Sequence, residues 1–292
     1  MKNIGICTKF IVATLISCFM SVNISAAQSV LTGNFESGSG LGKFVYGDNS
    51  SGLSIDYYAS SINKKLTYVV AKYDECSSMA MYKIPHTRQV AIDGSCSSQG
   101  GQIYQYVYEW KPSYSNWCLI REITGKKADI TSGTVVPSEQ VARVMNCFAI
   151  GVTGSYKYES SAQSAEDISE ELRKFRVSAG NKPKLKEYLN SIPSYSVSEL
   201  VSYITAGNVG DINDLAFYLS ENGRTYDAIP ILQEIAKKFP DRIVAKLNLA
   251  DAYWDNGFKG QASPFYQEYF DKMIARGLGS RVPNRVIERT KK

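Results

Sequence analysis

Few residues in this chain can carry chemistry, and their spacing limits what that chemistry could be. Of six cysteines, Cys7 and Cys18 fall in an N-terminal leader, which leaves Cys76, Cys96, Cys118 and Cys147 in the first half of the remaining chain. An even set confined to one region of an exported chain forms two disulfides, with three possible connectivities. Sequential pairing, Cys76–Cys96 and Cys118–Cys147, closes loops of moderate length and is the pairing predicted. The functional alternatives are a metal site or a nucleophilic thiol. No CxxC pair exists, however, and His86 is the only histidine, so a histidine-bearing cluster has nothing to build on. His86 follows Pro85 in IPHTR, a turn setting, and no GxSxG nucleophile motif accompanies it. Asp56, Asp74, Glu75 and Glu109 could supply the paired carboxylates of a cell-wall or glycan hydrolase, whose separation in space is not encoded in sequence spacing. Nothing in the pattern groups them. Neither a P-loop nor a GxGxxG fingerprint occurs, and no cofactor is expected. These residues read as those of a non-enzyme.

The start of the chain has the three-part layout of a secretory leader. Lys2 and Lys9 precede an uncharged apolar run from Phe10 to Val22, and Ser25-Ala26-Ala27 supplies the small residues of a cleavage site. Cleavage after Ala27 starts the mature chain at Gln28. Leu15-Ile16-Ser17-Cys18 offers a rival, a lipobox that would leave the protein anchored through a lipidated Cys18, although Phe19 is an unusual residue to follow it. Both routes lead out of a bacterial cytoplasm, to the periplasm or beyond. No later stretch has the length and apolarity of a membrane span, so the mature chain is expected to carry no integral segment. Removing the two leader lysines lowers the formal charge from +5 to +3, too little to draw nucleic acid or an anionic membrane.

From Thr32 to about Gly151 the sequence alternates as strands do. KFVYG, LSIDYYA, LTYVVAK, MAMYKI, RQVAID, QIYQYVYEW and WCLIREI are rich in Val, Ile, Tyr and Thr and are separated by polar, Gly-containing clusters. In the strongest of them Tyr104, Tyr106, Tyr108 and Trp110 share one face, either a packing face or a platform for sugar or peptide. One helix is predicted within this region, over SEQVARVMNC after Pro137. GSYKYESSAQSA then reads as a linker. Ser164 caps AEDISEELRKF, KPKLKEYLNSI carries Pro183 near its start, and Ser196 or Ser198 caps SELVSYITAG, which ends at Gly207.

Beyond Asn208 the chain repeats. Val209–Arg242 aligns without a gap on Ile243–Arg276, two units of 34 residues. Leu215 falls on Leu249, Ala216 on Ala250, Leu219 on Tyr253, Gly223 on Gly257, Ala228 on Ala262 and Leu232 on Tyr266. The alanines allow two antiparallel helices to approach, the glycines end the first helix, and Pro240 ends the second, with Ile274 at the equivalent place. Leu215, Leu219, Leu232 and Ile235 fill the seam. Period and aligned positions together resemble the tetratricopeptide repeat family. Two units are fewer than such an array needs to bury a continuous core, so the preceding helices must contribute.

The organisation expected is therefore a leader over 1–27, a β-rich disulfide-containing domain over 28–153 and a linker over 154–165. A helical segment over 166–208, two repeats over 209–276 and a basic cap or tail over 277–292 follow. The fold class is α+β in two domains, a disulfide-stapled antiparallel domain followed by a helical one. The resemblance implies that first helices line a concave groove. It places Asn213, Phe217 and Glu221 there from the first unit, and Leu247, Asn248, Asp251, Trp254 and Asp255 from the second. Of the lysine and asparagine clamp that one variety of the family uses for a terminal carboxylate, only Asn248 is matched; Phe217 stands in a clamp asparagine's place. The groove so drawn is acidic and aromatic, suited to a basic or aromatic protein surface, while Phe217 and Trp254 could equally be core residues. NDLAFYLSENG, KFPDR and LNLADAYWDNG also resemble the tails of bacterial envelope immunity proteins that accompany secreted toxins. That resemblance implies a toxin inhibitor; an assembly scaffold of an envelope or secretion complex is the alternative within the same class.

Overall fold

The computed structural model describes residues 28–38, 40–73, 76–96 and 100–290. The expected leader with Cys18, and the carboxylates Asp74 and Glu75, lie outside the described residues. Nine strands precede eight α-helices among them, an α+β arrangement. The first sheet is an antiparallel meander of β1 (Ser29–Gly33), β2 (Gly42–Asn49), β3 (Gly52–Ala59) and β4 (Lys64–Ala71). The second is a meander of β5 (Cys76–Lys83), β6 (Gln89–Cys96), β7 (Gln102–Lys111), β8 (Asn116–Lys126) and β9 (Ser138–Arg143). All seven strands read from alternation are present.

Alternation puts Leu53, Ile55 and Tyr57 of β3 inward, with Ser54 and Tyr58 outward. Inward residues of both sheets meet in an aromatic core. Tyr57 sits at its centre, 4.4 Å from Phe44, 5.3 Å from Trp117 and 5.6 Å from Trp110 between ring centroids. The β7 stripe belongs to this core: Tyr108 and Trp110 are buried, and Tyr104 and Tyr106 lean on Tyr73 at 5.4 and 5.7 Å. Glu36 is buried beside it and closes the β3–β4 turn, accepting from Tyr57 Oη at 2.5 Å, Ser60 N at 2.9 Å and Ser61 N at 2.7 Å. Burial alone would raise this carboxyl, but donors from Ser61, Tyr57 and Ser60 outweigh it and hold it below the ordinary value of 4.5. Both disulfides form in the sequential pairing, Cys76–Cys96 and Cys118–Cys147.

The helix expected after Pro137 is instead β9. β8 is eleven residues long and one of its edges is open, and Ser138–Arg143 fills that edge with six paired positions. Apolar spacing that suited a helix gives way to this tertiary demand. The stretch read as a linker is also engaged. Tyr158 bridges Val144, and Met145 N and Glu159 N donate to Lys157 O and Arg143 O at 2.8 and 3.0 Å.

α1 (Ser161–Ala179) begins earlier than expected, capped by Ser160 rather than by Ser164, which is buried in the helix. α2 (Lys182–Ser191) follows. α3 (Ser194–Ser202) takes Pro193 at its N-cap in place of Ser196 or Ser198, and stops short of Gly207. Two helical hairpins come next, α4 (Val209–Glu221) with α5 (Thr225–Lys238), and α6 (Ile243–Asp255) with α7 (Lys259–Ala275). Gly223 and Gly257 make their turns at φ +81° and +82°, where a side chain would be strained. Ala216, Ala228, Ala250 and Ala262 are all fully buried at the seams. Pro230 and Pro264, not anticipated, occupy the same place inside α5 and α7. Each deprives a carbonyl four residues earlier of its donor, and those carbonyls belong to exposed Tyr226 and Gly260, where water can replace it. α8 (Asn284–Thr290) packs on α7 with Val286 fully buried.

The second sheet carries an apolar patch on its outer face as well, which is why helices cover part of it. Ala91, Val107 and Ile123 point away from the first sheet and pack with Tyr195 of α3. Arg143, at the end of β9, completes the junction. It grips Glu199 of α3 through Nε and through Nη2 at 3.0 Å, and also contacts Asp167 of α1 and Glu159. Glu199 is 4% exposed and Arg143 9% exposed, so neither charge has water to fall back on.

Two outcomes are expected. Arg143→Ala takes from buried Glu199 its two hydrogen bonds and leaves it only Arg121 Nε at 3.9 Å, and should cost roughly 3 kcal/mol in urea unfolding. Arg143→Met with Glu199→Leu should recover part of the loss, Arg121 then losing its carboxylate. Glu36→Gln should cost about 2 kcal/mol at neutral pH. Because the native carboxyl is lowered, its contribution is complete above pH 4.5 and is lost as pH falls through the native value. The acid limb of a stability–pH curve should therefore flatten in the glutamine variant.

Candidate partner-binding groove

The 34-residue register does not stop at Arg276. Carried once more, it sets Phe217, Asp251 and Arg285 at one equivalent position, and Glu221, Asp255 and Arg289 at another. α8 thus stands where the first helix of a third unit would stand. The fold then places these six side chains together. With Ser220 and Asn248 they line one cleft of about 360 Å³ on the inner side of α4, α6 and α8.

Asp251 is the hub. Its Oδ1 accepts from Tyr266 Oη at 2.7 Å, Arg285 Nε at 3.0 Å and Arg289 Nη1 at 3.0 Å, while its Oδ2 accepts from Arg285 Nη2 at 2.9 Å. The hydrogen-bonded Asp251 carboxylate raises the Arg285 guanidinium, with burial opposing. Burial raises the Tyr266 phenol, and Asp251 adds to that. Arg289 also lies 4.8 Å from the centroid of the Trp254 ring, which Lys259 approaches at 5.1 Å from elsewhere.

Of the eight residues expected in the groove, Phe217, Glu221, Asn248, Asp251 and Asp255 line the cleft. Asn213 is buried beneath it, donating to Asp214 Oδ1 at 3.2 Å and accepting from Asn248 Nδ2 at 3.3 Å, so it joins α4 to α6 and is not a surface group. Leu247 and Trp254 are half-buried and pack against the helical core. The acidic character expected is modified. Two arginines neutralise Asp251, and Arg289 Nη2 also lies 3.8 Å from Asp255 Oδ1, which leaves exposed Glu221 as the free acid beside exposed Phe217. Arg285 and Arg289 were missed by sequence reasoning because Gly277 and Pro283 break the helix, although the register itself marks both positions.

The two candidate carboxylates of the β region that lie among the described residues are otherwise occupied. Asp56 pairs with Lys65 at 2.8 Å and accepts from Thr67 Oγ1 at 2.8 Å, and Glu109 pairs with Lys111. Among the described residues no group of three or more His, Cys, Asp or Glu could hold a metal, and no helix is long and apolar enough to cross a membrane. Comparison with protein-family models, with curated proteins and with solved structures finds no significant match to this chain.

Asp251→Ala removes the shared acceptor of three donors. A loss of about 2 kcal/mol is expected. Amide exchange should quicken over Asn284–Thr290 while the two sheets keep their protection; unchanged exchange there would show that Asp251 does not hold α8.

Proposed function

We propose that this protein works outside the cytoplasm, without catalysis, by holding another protein in the groove of its helical hairpins. The observation that carries this reading is the convergence of equivalent residues from three successive first helices, Phe217–Asp251–Arg285 and Glu221–Asp255–Arg289, on one cleft. In tetratricopeptide repeats, which the α4–α7 region resembles, that inner surface is where partners dock. An exposed aromatic ring beside the free Glu221 and the exposed Asp255, which Arg289 shares at 3.8 Å, suits a partner segment that presents apolar and basic side chains. The two disulfides favour an oxidising compartment, in keeping with the expected leader.

The most specific form of the proposal is an immunity protein that neutralises a toxin acting at the bacterial envelope. A rigid, stapled head joined to a groove suits a blocker that must hold its target in one pose. Pull-down from an envelope extract tests it. One stoichiometric toxin supports immunity, whereas several machinery subunits would replace immunity with an assembly scaffold. Phe217→Ala and the reversal Glu221→Lys with Asp255→Lys should each weaken capture about tenfold or more, with the urea midpoint little changed. Full capture by both folded variants would remove the groove from consideration.

A further inference from the structure

The helix-facing side of the second sheet is only partly covered. In register, one row across it reads Tyr82–Ala91–Val107–Arg121–Arg143 and the next Ala80–Asp93–Gln105–Ile123–Val141. α3 lies over β9 and reaches the middle of the face with Tyr195. Toward the β5 edge the face stays open, and the small Ala80 deepens it. Two hollows result. One, of about 350 Å³, lies between the β5–β6 turn and the corner joining α2 to α3, walled by Tyr82, Ile84, Pro85, Ile192, Pro193 and Tyr195. The other, of about 490 Å³, is lined by Asp93, Gln105, Tyr104, Lys127 and Glu139 among others. Ala80 and Glu139 stand four strands apart, about 19 Å in a flat sheet, yet both line this second hollow. The sheet therefore curls around it. Gln105 borders both hollows and donates through Nε2 to Tyr82 Oη at 2.6 Å, so the two meet at that bond.

Their chemistry differs. The first has an apolar and aromatic wall with His86, Asn190 and Ser194 also in its lining, and its one guanidinium, Arg224, is spent on the carbonyls of Leu189 and Ile192, on Ser194 and on Asp227. The second is rich in acceptors. Asp93 Oδ1 is shielded from solvent with no hydrogen-bond partner, a destabilising condition that a donor would relieve. One oxygen of Glu139 accepts from Ser198 Oγ at 2.7 Å. Lys127, the only cation in the lining, already donates to Cys96 O at 2.7 Å. Burial pushes the Asp93 carboxyl up to about 6, with Lys127 drawing it down, as befits a carboxylate short of donors.

We propose that the joined hollows bind an organic cation on an apolar stem, the stem lying along Tyr82, Ile84 and Ile192 and the ammonium or guanidinium reaching Asp93 and Glu139 past Gln105. This site is separate from the helical groove and does not depend on its function. The same chemistry is offered by a lysine or arginine side chain of a polypeptide and by a free diamine.

The test is titration of the isotope-labelled chain, followed by amide NMR, with 1,5-diaminopentane, with doubly capped lysine and, as the uncharged control, with pentanol. Saturable shifts at Tyr82, Asp93, Gln105 and Glu139 with either cation are expected at millimolar concentration, and none with pentanol. Tighter binding of capped lysine assigns the site to a polypeptide side chain, and tighter binding of the diamine to a free amine. Asp93→Asn, which removes a buried charge and should fold, is expected to weaken binding about tenfold, as is Glu139→Gln. No saturable shift, equal binding of pentanol, or wild-type affinity in both variants would overturn the proposal.

Discussion

The ion pair between Arg143 and Glu199 is the constraint on which the arrangement of the molecule depends. Arg143 ends the edge strand β9, yet its guanidinium meets α3, α1 and the segment before α1, while its carbonyl accepts from Glu159 N at 3.0 Å. One side chain thus references three parts of the helical half to the sheet. Burying both charges is costly unless every lone pair and proton finds a partner, so the arrangement is tolerated in few relative positions. A purely apolar contact could slide by a residue with small loss; the bidentate pair could not, and Tyr195 Oη adds a second directed tie by donating to Gln89 Oε1 at 2.6 Å. Because α3 packs in turn on α5, the position fixed at Arg143 is passed on to the hairpins.

The helical half solves a different problem, how to end. An array of stacked hairpins always leaves one apolar face uncovered at its last member. Here α8 covers it with Val286, and its two arginines fall at the positions where the preceding unit carries aspartates. Complementary charges at equivalent positions make α8 a good neighbour for α6 and a poor one for another α8, since arginine would then face arginine. The same residues shape the groove. Its character runs from an aromatic ring and an acid in the first unit, through neutralised Asp251, to guanidinium at the cap.

What could be read beforehand followed from how local each signal was. Seven strands were legible because each is a short run rich in Val, Ile, Tyr and Thr bounded by polar clusters, and the hairpins because a 34-residue period repeats small and large side chains together. β1 and β9 were not, since β1 is only five residues long and mostly exposed and β9 carries helix-like apolar spacing, so both rest on a neighbour's open backbone. The caps went astray for a related reason: serine is common across 160–198, and only tertiary packing decides which one ends a helix. Groove residues were partly legible. Phe217, Glu221, Asp251 and Asp255 follow from the resemblance to the repeat family, whereas Asn213 turned inward because Asn248 on the next helix offered it a donor. The acceptor-rich hollow beside Asp93 left no trace in the sequence, because it arises from the curl of five strands.

The position of the second disulfide connects the oxidising compartment to the junction itself. Cys147 lies four residues beyond Arg143, and its bond to Cys118 clamps the chain leaving β9 onto β8. Without that bond the same stretch would be tied to β8 by little more than Leu119 N donating to Phe148 O at 2.8 Å and Val144 N to Ile120 O at 3.1 Å. A crosslink over 29 residues restricts the unfolded chain and so favours the state in which Arg143 is already near Glu199. The helical half has no cysteine, and needs none, because its hairpins repeat one packing solution and share one continuous core. Covalent staples are thus spent where the contacts are few and singular, at the sheet that must hold a buried charge in place for everything built upon it.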